Sequence, residues 1–130
     1  MNVKISELMS KNVVTTTRVQ TVGQARSLMD EYGIHALPVL NDSDKPVGIV
    51  SAIDLMNAPS DMVKVKDVMT KEVLTIPQYN GPHQAARLMR KHHVHHVIVM
   101  HDKAVVGLLS SFDLLQLVED HRYVAKNAPK

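Results

Sequence analysis

Two short segments of the chain each carry a hydroxyl and a carboxylate three residues apart, Ser51 with Asp54 and Ser110 with Asp113. Each pair falls where a strand pattern gives way to a helix pattern. In that place the carboxylate can accept two hydrogen bonds from a vicinal diol such as a ribose, and the free backbone N–H groups at the helix start favour an anion nearby. The same spacing is also typical of an N-terminal helix cap. The residues alone leave both interpretations open.

Histidine is unusually abundant, with eight residues in the chain. His35 and His95 each precede an apolar strand, and His92, His93 and His96 cluster around the second of these strands. One hypothesis is that imidazolium N–H groups contact a phosphate. A second is a metal site, in which His93 and His95 point the same way along a strand and bind Zn, Cu or Ni. A third is that these are partly exposed polar residues at a helix end.

Threonines follow the first strand pattern of each half of the chain, at residues 15–17 and at Thr75. Threonine is a common strand residue, but an exposed edge here could also present backbone groups and methyl groups to a base. The sequence contains no phosphate-binding glycine loop, no paired-carboxylate motif and no nucleophile with an adjacent base. We therefore expect a binding protein, not an enzyme.

Composition narrows the classes of partner. The chain has no cysteine, which excludes disulfides and thiolate metal sites. A net charge of +2 is too balanced to favour nucleic acid, and a chain with one Phe and no Trp offers little aromatic surface for base stacking. No secretory signal is recognised, and no apolar run approaches the ~20 residues of a membrane helix. We expect a soluble cytoplasmic protein without a membrane partner.

The chain is an internal repeat. Shifted by 60 residues it matches itself, so that residues 5–11 fall on 65–71, and beyond Asp42 the register continues at 59. We assign 1–57 to the first repeat, 58–62 to a linker, 63–122 to the second repeat and 123–130 to a C-terminal tail. Each copy of roughly 55 residues would have a marginal core, so the copies should fold against each other about a pseudo-twofold axis.

The elements of one copy are predicted as β-α-β-β-α, an α/β (α+β) fold. A strand at 13–16 precedes a helix that starts at Thr21, where Gln24 completes a capping box, and ends at Gly33. Strands at 37–40 and 47–51 and a helix at 53–57 follow. In the second copy Pro82 begins the helix, the last helix runs from 111 to about 122, and the tail 125–130 is expected to fray.

In their order and duplication these segments resemble the tandem CBS-domain pair (cystathionine β-synthase domains, or Bateman module), over nearly all of residues 5–117. The resemblance rests on the Leu-Met-Ser and Val-Met-Thr openings, the Val-Val-Thr and Val-Leu-Thr strands, the Ile-His-Ala-Leu-Pro-Val strand at 34–39, and the Gly-x-x-Ser-x-x-Asp close of each copy. It implies that AMP, ADP, ATP or S-adenosylmethionine binds in the cleft between the copies.

The resemblance also implies residue roles. The carboxylate of each close would hold the ribose with support from the preceding serine, the strand after the first threonine would line the base, and the basic residue before the Pro-Val-type strand would reach phosphate. The implied ligand-binding residues are Val14, Thr16, His35, Ser51, Asp54, Leu74, Ile76, His95, His96, Ser110 and Asp113.

The two copies depart from the family pattern in different places. Ala36 stands where the second copy has His96, Ile98 replaces Pro38, and Arg18 replaces a common proline. The two sites are therefore expected to be unequal, and the second copy is the better candidate for phosphate.

These features predict a regulatory module that senses an adenine nucleotide and signals to a partner protein by a conformational change. The resemblance further implies a homodimer formed through the helices. Two alternatives stay open. One is a ligand-free dimerisation scaffold, and the other is a metal or pH sensor that acts through His92, His93, His95 and His96.

Overall fold

The computed structural model describes residues 2–124 and confirms a mixed α/β architecture of two repeats. The elements in chain order are α1 (Val22–Tyr32), β1 (Ala36–Leu40), β2 (Pro46–Ser51), α2 (Ala52–Met56), β3 (Thr75–Pro77), α3 (Pro82–His92), β4 (His96–His101), β5 (Ala104–Ser110) and α4 (Ser111–Asp120). A 3₁₀ turn opens each repeat, at Ile5–Glu7 and Val65–Asp67.

Each repeat builds its sheet on an antiparallel hairpin, β1 with β2 and β4 with β5. In the second repeat β3 adds a parallel strand beside β4. The predicted strand at 13–16 is wrong, because only Thr16 forms a bridge, to Val39. The reason lies in the neighbouring strand. The Ile98 amide donates to the Leu74 carbonyl at 2.9 Å, whereas Pro38 in the equivalent place has no N–H to donate.

The local signals at the helix ends behave as predicted. The Gln24 amide donates to Thr21 Oγ1 at 3.1 Å, and the Thr21 amide donates to Gln24 Oε1 at 2.9 Å, which closes the capping box. Gly33 ends α1 with φ of 62°, a left-handed conformation that glycine adopts without strain. Pro82 begins α3 as expected. The last helix ends at Asp120, two residues before the predicted boundary, and the tail at 125–130 lies outside the described residues.

The opening segment of each repeat crosses to the other repeat. Ile5 is fully buried in the core of the second repeat, beside Val97 and Leu109, and Val65 is fully buried in the core of the first. Paired backbone hydrogen bonds fix both crossings. Ser10 exchanges hydrogen bonds with Leu108 at 3.0 and 3.2 Å, and Thr70 exchanges them with Ile49 at 3.0 and 2.8 Å. Each core is therefore completed by the other repeat's chain.

Gly48 and Gly107 allow these crossings because they have no side chain. A Cβ atom placed on Gly48 would lie 2.7 Å from Met69 Sδ and 2.9 Å from the Thr70 carbonyl oxygen. A Cβ on Gly107 would overlap Met9 Sδ and lie 3.1 Å from the Ser10 carbonyl oxygen. The glycine of each repeat's closing segment is thus required by the close approach of the other repeat's backbone.

Two further features complete the architecture. The segment between the repeats is held to the start of α1, where Val22 donates to the Val63 carbonyl at 2.8 Å and Arg26 forms an ion pair with Asp61. Within residues 2–124, no helix is long and apolar enough to cross a membrane.

Replacing Gly48 with alanine should destabilise the protein by about 1–3 kcal/mol, because the added methyl overpacks against a backbone oxygen that cannot move alone. Chemical denaturation measures the change in the free energy of unfolding. Since Val65 completes the core of the first repeat, we expect the variant to unfold in one transition. An unchanged free energy of unfolding would contradict the close approach at Gly48.

Candidate functional site

The first cavity lies at the closing segment of the first repeat and has a volume of about 440 Å³. We call it the Asp54 cavity. The first repeat supplies Ser51 and Asp54, at the junction of β2 and α2, and the second repeat supplies Leu74 and Ile98. Aliphatic side chains account for much of the lining, so the cavity joins a carboxylate of one repeat to an apolar wall of the other.

The second cavity occupies the related place at the closing segment of the second repeat and measures about 520 Å³. We call it the Asp113 cavity. Ser110 and Asp113 come from the junction of β5 and α4, while Ile34 and Ala36 come from the first repeat. Ser10, Ser110 and Ser111 also line it, which gives it a more polar character than the Asp54 cavity.

The carboxylates at both junctions are helix caps. Asp54 Oδ2 accepts a hydrogen bond from the Ser51 amide at 2.8 Å, and Ser51 Oγ accepts one from the Asp54 amide at 3.3 Å. Ser110 and Asp113 repeat this arrangement at 2.8 and 3.1 Å. In both carboxylates Oδ1 receives no hydrogen bond from any described residue. The cap interpretation is therefore confirmed, and one oxygen stays free to accept a bond from a ligand.

Three histidines line both cavities. From the sequence we expect His35 at one site and His95 and His96 at the other. The structure instead places all three at both the Asp54 cavity and the Asp113 cavity. The carbonyl oxygens of His35 and His95 accept bonds of 2.8 Å from the first residues of α2 and α4. His95 Nδ1 also lies 3.1 Å from Ser111 Oγ. The backbones of His35 and His95 are thus fixed relative to the two helix starts, and the His95 imidazole is also held against Ser111.

The imidazole of His96 is the most buried of the three. Burial lowers the pKa of His96 below its ordinary value of 6.5, and the nearby His95 and His35 lower it further, while Asp113 acts in the opposite direction. Desolvation is the largest cause, because an apolar environment disfavours the charged form. The neutral imidazole, which both donates and accepts a hydrogen bond, is therefore the favoured form of His96 at neutral pH.

Three of the residues expected to bind ligand line neither cavity. Val14 packs against the core of the first repeat, and Ile76, with 3% exposure, belongs to the core of the second. Thr16 is 4% exposed, and its Oγ1 has no hydrogen-bond partner among the described residues. Of the four residues expected to line a base, the structure places only Leu74 at the cleft.

The cleft also contains residues that the sequence analysis did not single out. Glu72 lines the Asp54 cavity, and its Oε1 lies 3.1 Å from His92 Nδ1. Ile49 and Val94 add apolar wall. Comparing the two copies residue by residue could have identified Glu72, because the equivalent residue of the first copy is the uncharged Asn12.

The geometry assumed for a metal site is wrong. His93 ends α3 in a left-handed conformation with φ of 54°, and His95 precedes β4, so the two do not share a strand. Among residues 2–124, no group of three or more His, Cys, Asp or Glu side chains is arranged to hold a metal ion.

The first repeat has alanine at the position equivalent to His96. Replacing His96 with alanine should make the stability of the fold less sensitive to acid. Because the pKa of His96 is lowered in the folded state, its contribution to stability is complete above about pH 6.5 and is lost as the pH falls through the folded-state value. Thermal melts at about pH 7.5 and pH 5.5 should show a smaller loss of stability in the variant. His83→Ala, at an exposed position, serves as the matched control, and an equal change in both variants would contradict the assignment to His96.

Comparisons with known proteins agree with this architecture. The model of the CBS domain family matches residues 5–61 and 65–120. An inosine-5′-monophosphate dehydrogenase of Methanocaldococcus jannaschii is 33% identical over 114 residues, which are 87% of this chain and 23% of the enzyme. A homoserine O-acetyltransferase of Methanosphaera stadtmanae is 27% identical over 89% of this chain and 24% of its own length. The chain thus spans about a quarter of the length of these two relatives.

Solved structures show the same fold. The CBS domain pair of protein MJ0100, in complex with 5′-methylthioadenosine and S-adenosyl-L-methionine, is 25% identical with a TM-score of 0.82 and covers 89% of this chain and 99% of its own. A CBS-domain containing protein from Agrobacterium tumefaciens is 23% identical with a TM-score of 0.79 over 89% and 93% of the two chains. The chain therefore belongs to the CBS domain family, and its two repeats form a CBS pair, which is a ligand-binding regulatory module.

Proposed function

We propose that this chain is a regulatory module that binds an adenosine derivative, such as AMP, ADP, ATP or S-adenosylmethionine, in the cleft between its repeats. One observation carries the proposal. Each cavity sets a carboxylate with a free Oδ1 at the start of a helix of one repeat against residues of the other repeat. A ligand bound there would contact both repeats at once.

The Asp54 cavity suits a nucleoside. Its volume of about 440 Å³ lies within the range of about 300–1,000 Å³ that is usual for small-molecule sites. The free oxygen of Asp54 can accept hydrogen bonds from the ribose hydroxyls, and Ile49, Leu74 and Ile98 offer apolar surfaces to the faces of a base. The complex of the MJ0100 domain pair with 5′-methylthioadenosine and S-adenosyl-L-methionine supports this ligand class.

The Asp113 cavity suits a phosphate better. It combines the three shared imidazoles with the hydroxyls of Ser10, Ser110 and Ser111, all of which can donate to phosphate oxygens. A ligand phosphate would also favour protonation of the imidazoles and so increase their attraction for it. This supports the expectation that the second site is the phosphate site and that the two sites are unequal.

Signalling follows from the position of the cavities between the repeats. A ligand changes the relative arrangement of two bodies only by binding one arrangement more tightly than the other, and a ligand in either cavity touches both repeats. The match to two enzymes of different activity, each over about a quarter of the enzyme, supports a regulatory role for the module. We propose no catalytic activity for it.

The exposed faces of α2 and α4 support a homodimer. Large apolar side chains there remain accessible to solvent: Ile53 at 67%, Met56 at 79%, Phe112 at 79%, Leu115 at 56% and Val118 at 55%. Large exposed apolar side chains that recur along a helix are typical of an interaction site. Ile53 and Phe112 also line the Asp54 and Asp113 cavities respectively, so a ligand could affect the dimer or another protein partner directly.

The variant Asp54→Glu tests the ribose contact without removing the helix cap. Glutamate is the usual partner in a capping box, so stability should be retained while the carboxylate moves by one methylene. Calorimetry with AMP, ATP and S-adenosylmethionine should show binding at this cavity weakened by about 10-fold or more, as expected for a charge-assisted hydrogen bond worth about 1.5–3 kcal/mol.

Matched variants separate this result from other causes. Asp113→Glu makes the same change in the other cavity, the double variant should lose both sites, and Asp30→Glu, at an exposed position of α1, should bind like the original chain. Absence of heat and of any melting shift with all three compounds would overturn the proposal. A melting shift with Zn²⁺ alone would favour a metal sensor instead.

The variant Leu115→Glu tests the homodimer, because it places a charge at the centre of the exposed apolar face. Sedimentation velocity over a range of concentrations should show a dimer for the original chain and a dissociation constant raised at least about 10-fold in the variant. Gln116→Glu adds the same charge at the next exposed position and should be milder. A monomer at every concentration of the original chain would rule out the homodimer.

A further inference from the structure

The two cavities carry different charges. The titratable side chains that line the Asp54 cavity are Asp54, Glu72 and the three shared histidines. Those that line the Asp113 cavity are Asp113 and the same histidines. With neutral imidazoles the Asp54 cavity therefore carries one negative charge more than the Asp113 cavity, and Glu72 is the source of the difference.

Glu72 is held in place at this cavity. Its Oε1 lies 3.1 Å from Nδ1 of His92, the last residue of α3, and the His92 side chain is 28% exposed. The equivalent positions in the first repeat are Asn12 and Tyr32, which cannot form such a pair. The carboxylate is consequently a specific feature of one cavity.

The walls of the Asp54 cavity increase the effect of this charge. Ile49, Leu74, Val94 and Ile98 line it with aliphatic surface. A ligand that fills the cavity excludes water from between its own charges and Asp54, while Glu72, whose side chain is 65% exposed, stays partly screened. Charges interact more strongly where less water screens them. A phosphate is repelled by two carboxylates in such a cavity, while an amine or a sulfonium group is attracted.

We infer that the Asp54 cavity selects adenosine derivatives whose 5′ substituent is uncharged or cationic, such as a thioether or a sulfonium, and that Glu72 sets this selectivity against phosphates. The inference rests on the proposed function and deepens it. It assigns different ligand classes to the two cavities, and it assigns a specificity role to a residue outside the repeated Ser-x-x-Asp segments.

The experiment uses the full chain with Asp113→Glu, so that the Asp54 cavity is the site that retains its carboxylate geometry. Calorimetry at about pH 8, where a free imidazole is neutral, compares S-adenosylmethionine, 5′-methylthioadenosine, AMP and ATP. We expect the affinity to decrease in the order S-adenosylmethionine, which is cationic, 5′-methylthioadenosine, which is neutral, AMP and ATP. Tighter binding of AMP or ATP than of both sulfur compounds would overturn the inference and leave the proposed function intact.

The variant Glu72→Gln, made in the same background, tests the role of the residue. Its affinity for AMP relative to S-adenosylmethionine should rise about three- to fivefold, a modest change because the Glu72 side chain is 65% exposed. In about 1 M salt this change in relative affinity should become smaller, because the salt then screens charges that are more than about 3 Å apart. A purely structural role would change the affinity for all four compounds equally and would not depend on salt.

Glu31→Gln is the matched control, because Glu31 is exposed on α1 and lines neither cleft cavity. It should leave the ratio of affinities unchanged. An equal response of the two variants, or no change of the ratio in Glu72→Gln, would also overturn the inference. If none of the four compounds binds the original chain, the proposed function fails and the inference fails with it.

Discussion

The exchange of opening segments between the repeats is the interaction on which the rest of the structure depends. Ile5 and Val65 are each fully buried in the core of the opposite repeat, and Gly48 and Gly107 give the crossing backbones room to pair with β2 and β5. The same segments then continue into the cleft, where Ser10 lines the Asp113 cavity and Thr70 lines the Asp54 cavity. The contacts that complete the two cores therefore also place the walls of the two cavities.

A second consequence concerns the closing segments. Asp54 and Asp113 each use one oxygen to cap a helix and keep the other free of protein hydrogen bonds within residues 2–124. The cap fixes the orientation of the carboxylate before any ligand arrives, and an oriented group loses little conformational freedom on binding. The two interpretations of the Ser-x-x-Asp spacing are thus not exclusive, because the structural role prepares the binding role that we propose.

Sequence reasoning was reliable where the determinants are local. The capping box of Thr21 and Gln24, the left-handed Gly33 and the initial Pro82 each act within a few residues, and the structure contains all three. It failed where the determinant is distant. Ile5 and Val65 look like ordinary apolar residues, so nothing in the pattern reveals that they exchange cores. The strand at 13–16 fails because of Pro38 in its neighbour, and the position of Glu72 at a cavity depends on the folding of both repeats.

The cleft follows the repeat in its backbone but not in its charges. The two carboxylates of the closing segments are related by the repeat, and so are His35 and His95, whereas His96 has Ala36 as its equivalent. All three histidines line both cavities. In the proposed function an anion held in one cavity would favour protonation of imidazoles that also face the other, so the two sites would be linked through a shared set of protons. Linkage of this kind is reciprocal. The histidines that both cavities share are therefore the groups through which, in the proposed function, a ligand in one cavity would influence a ligand in the other.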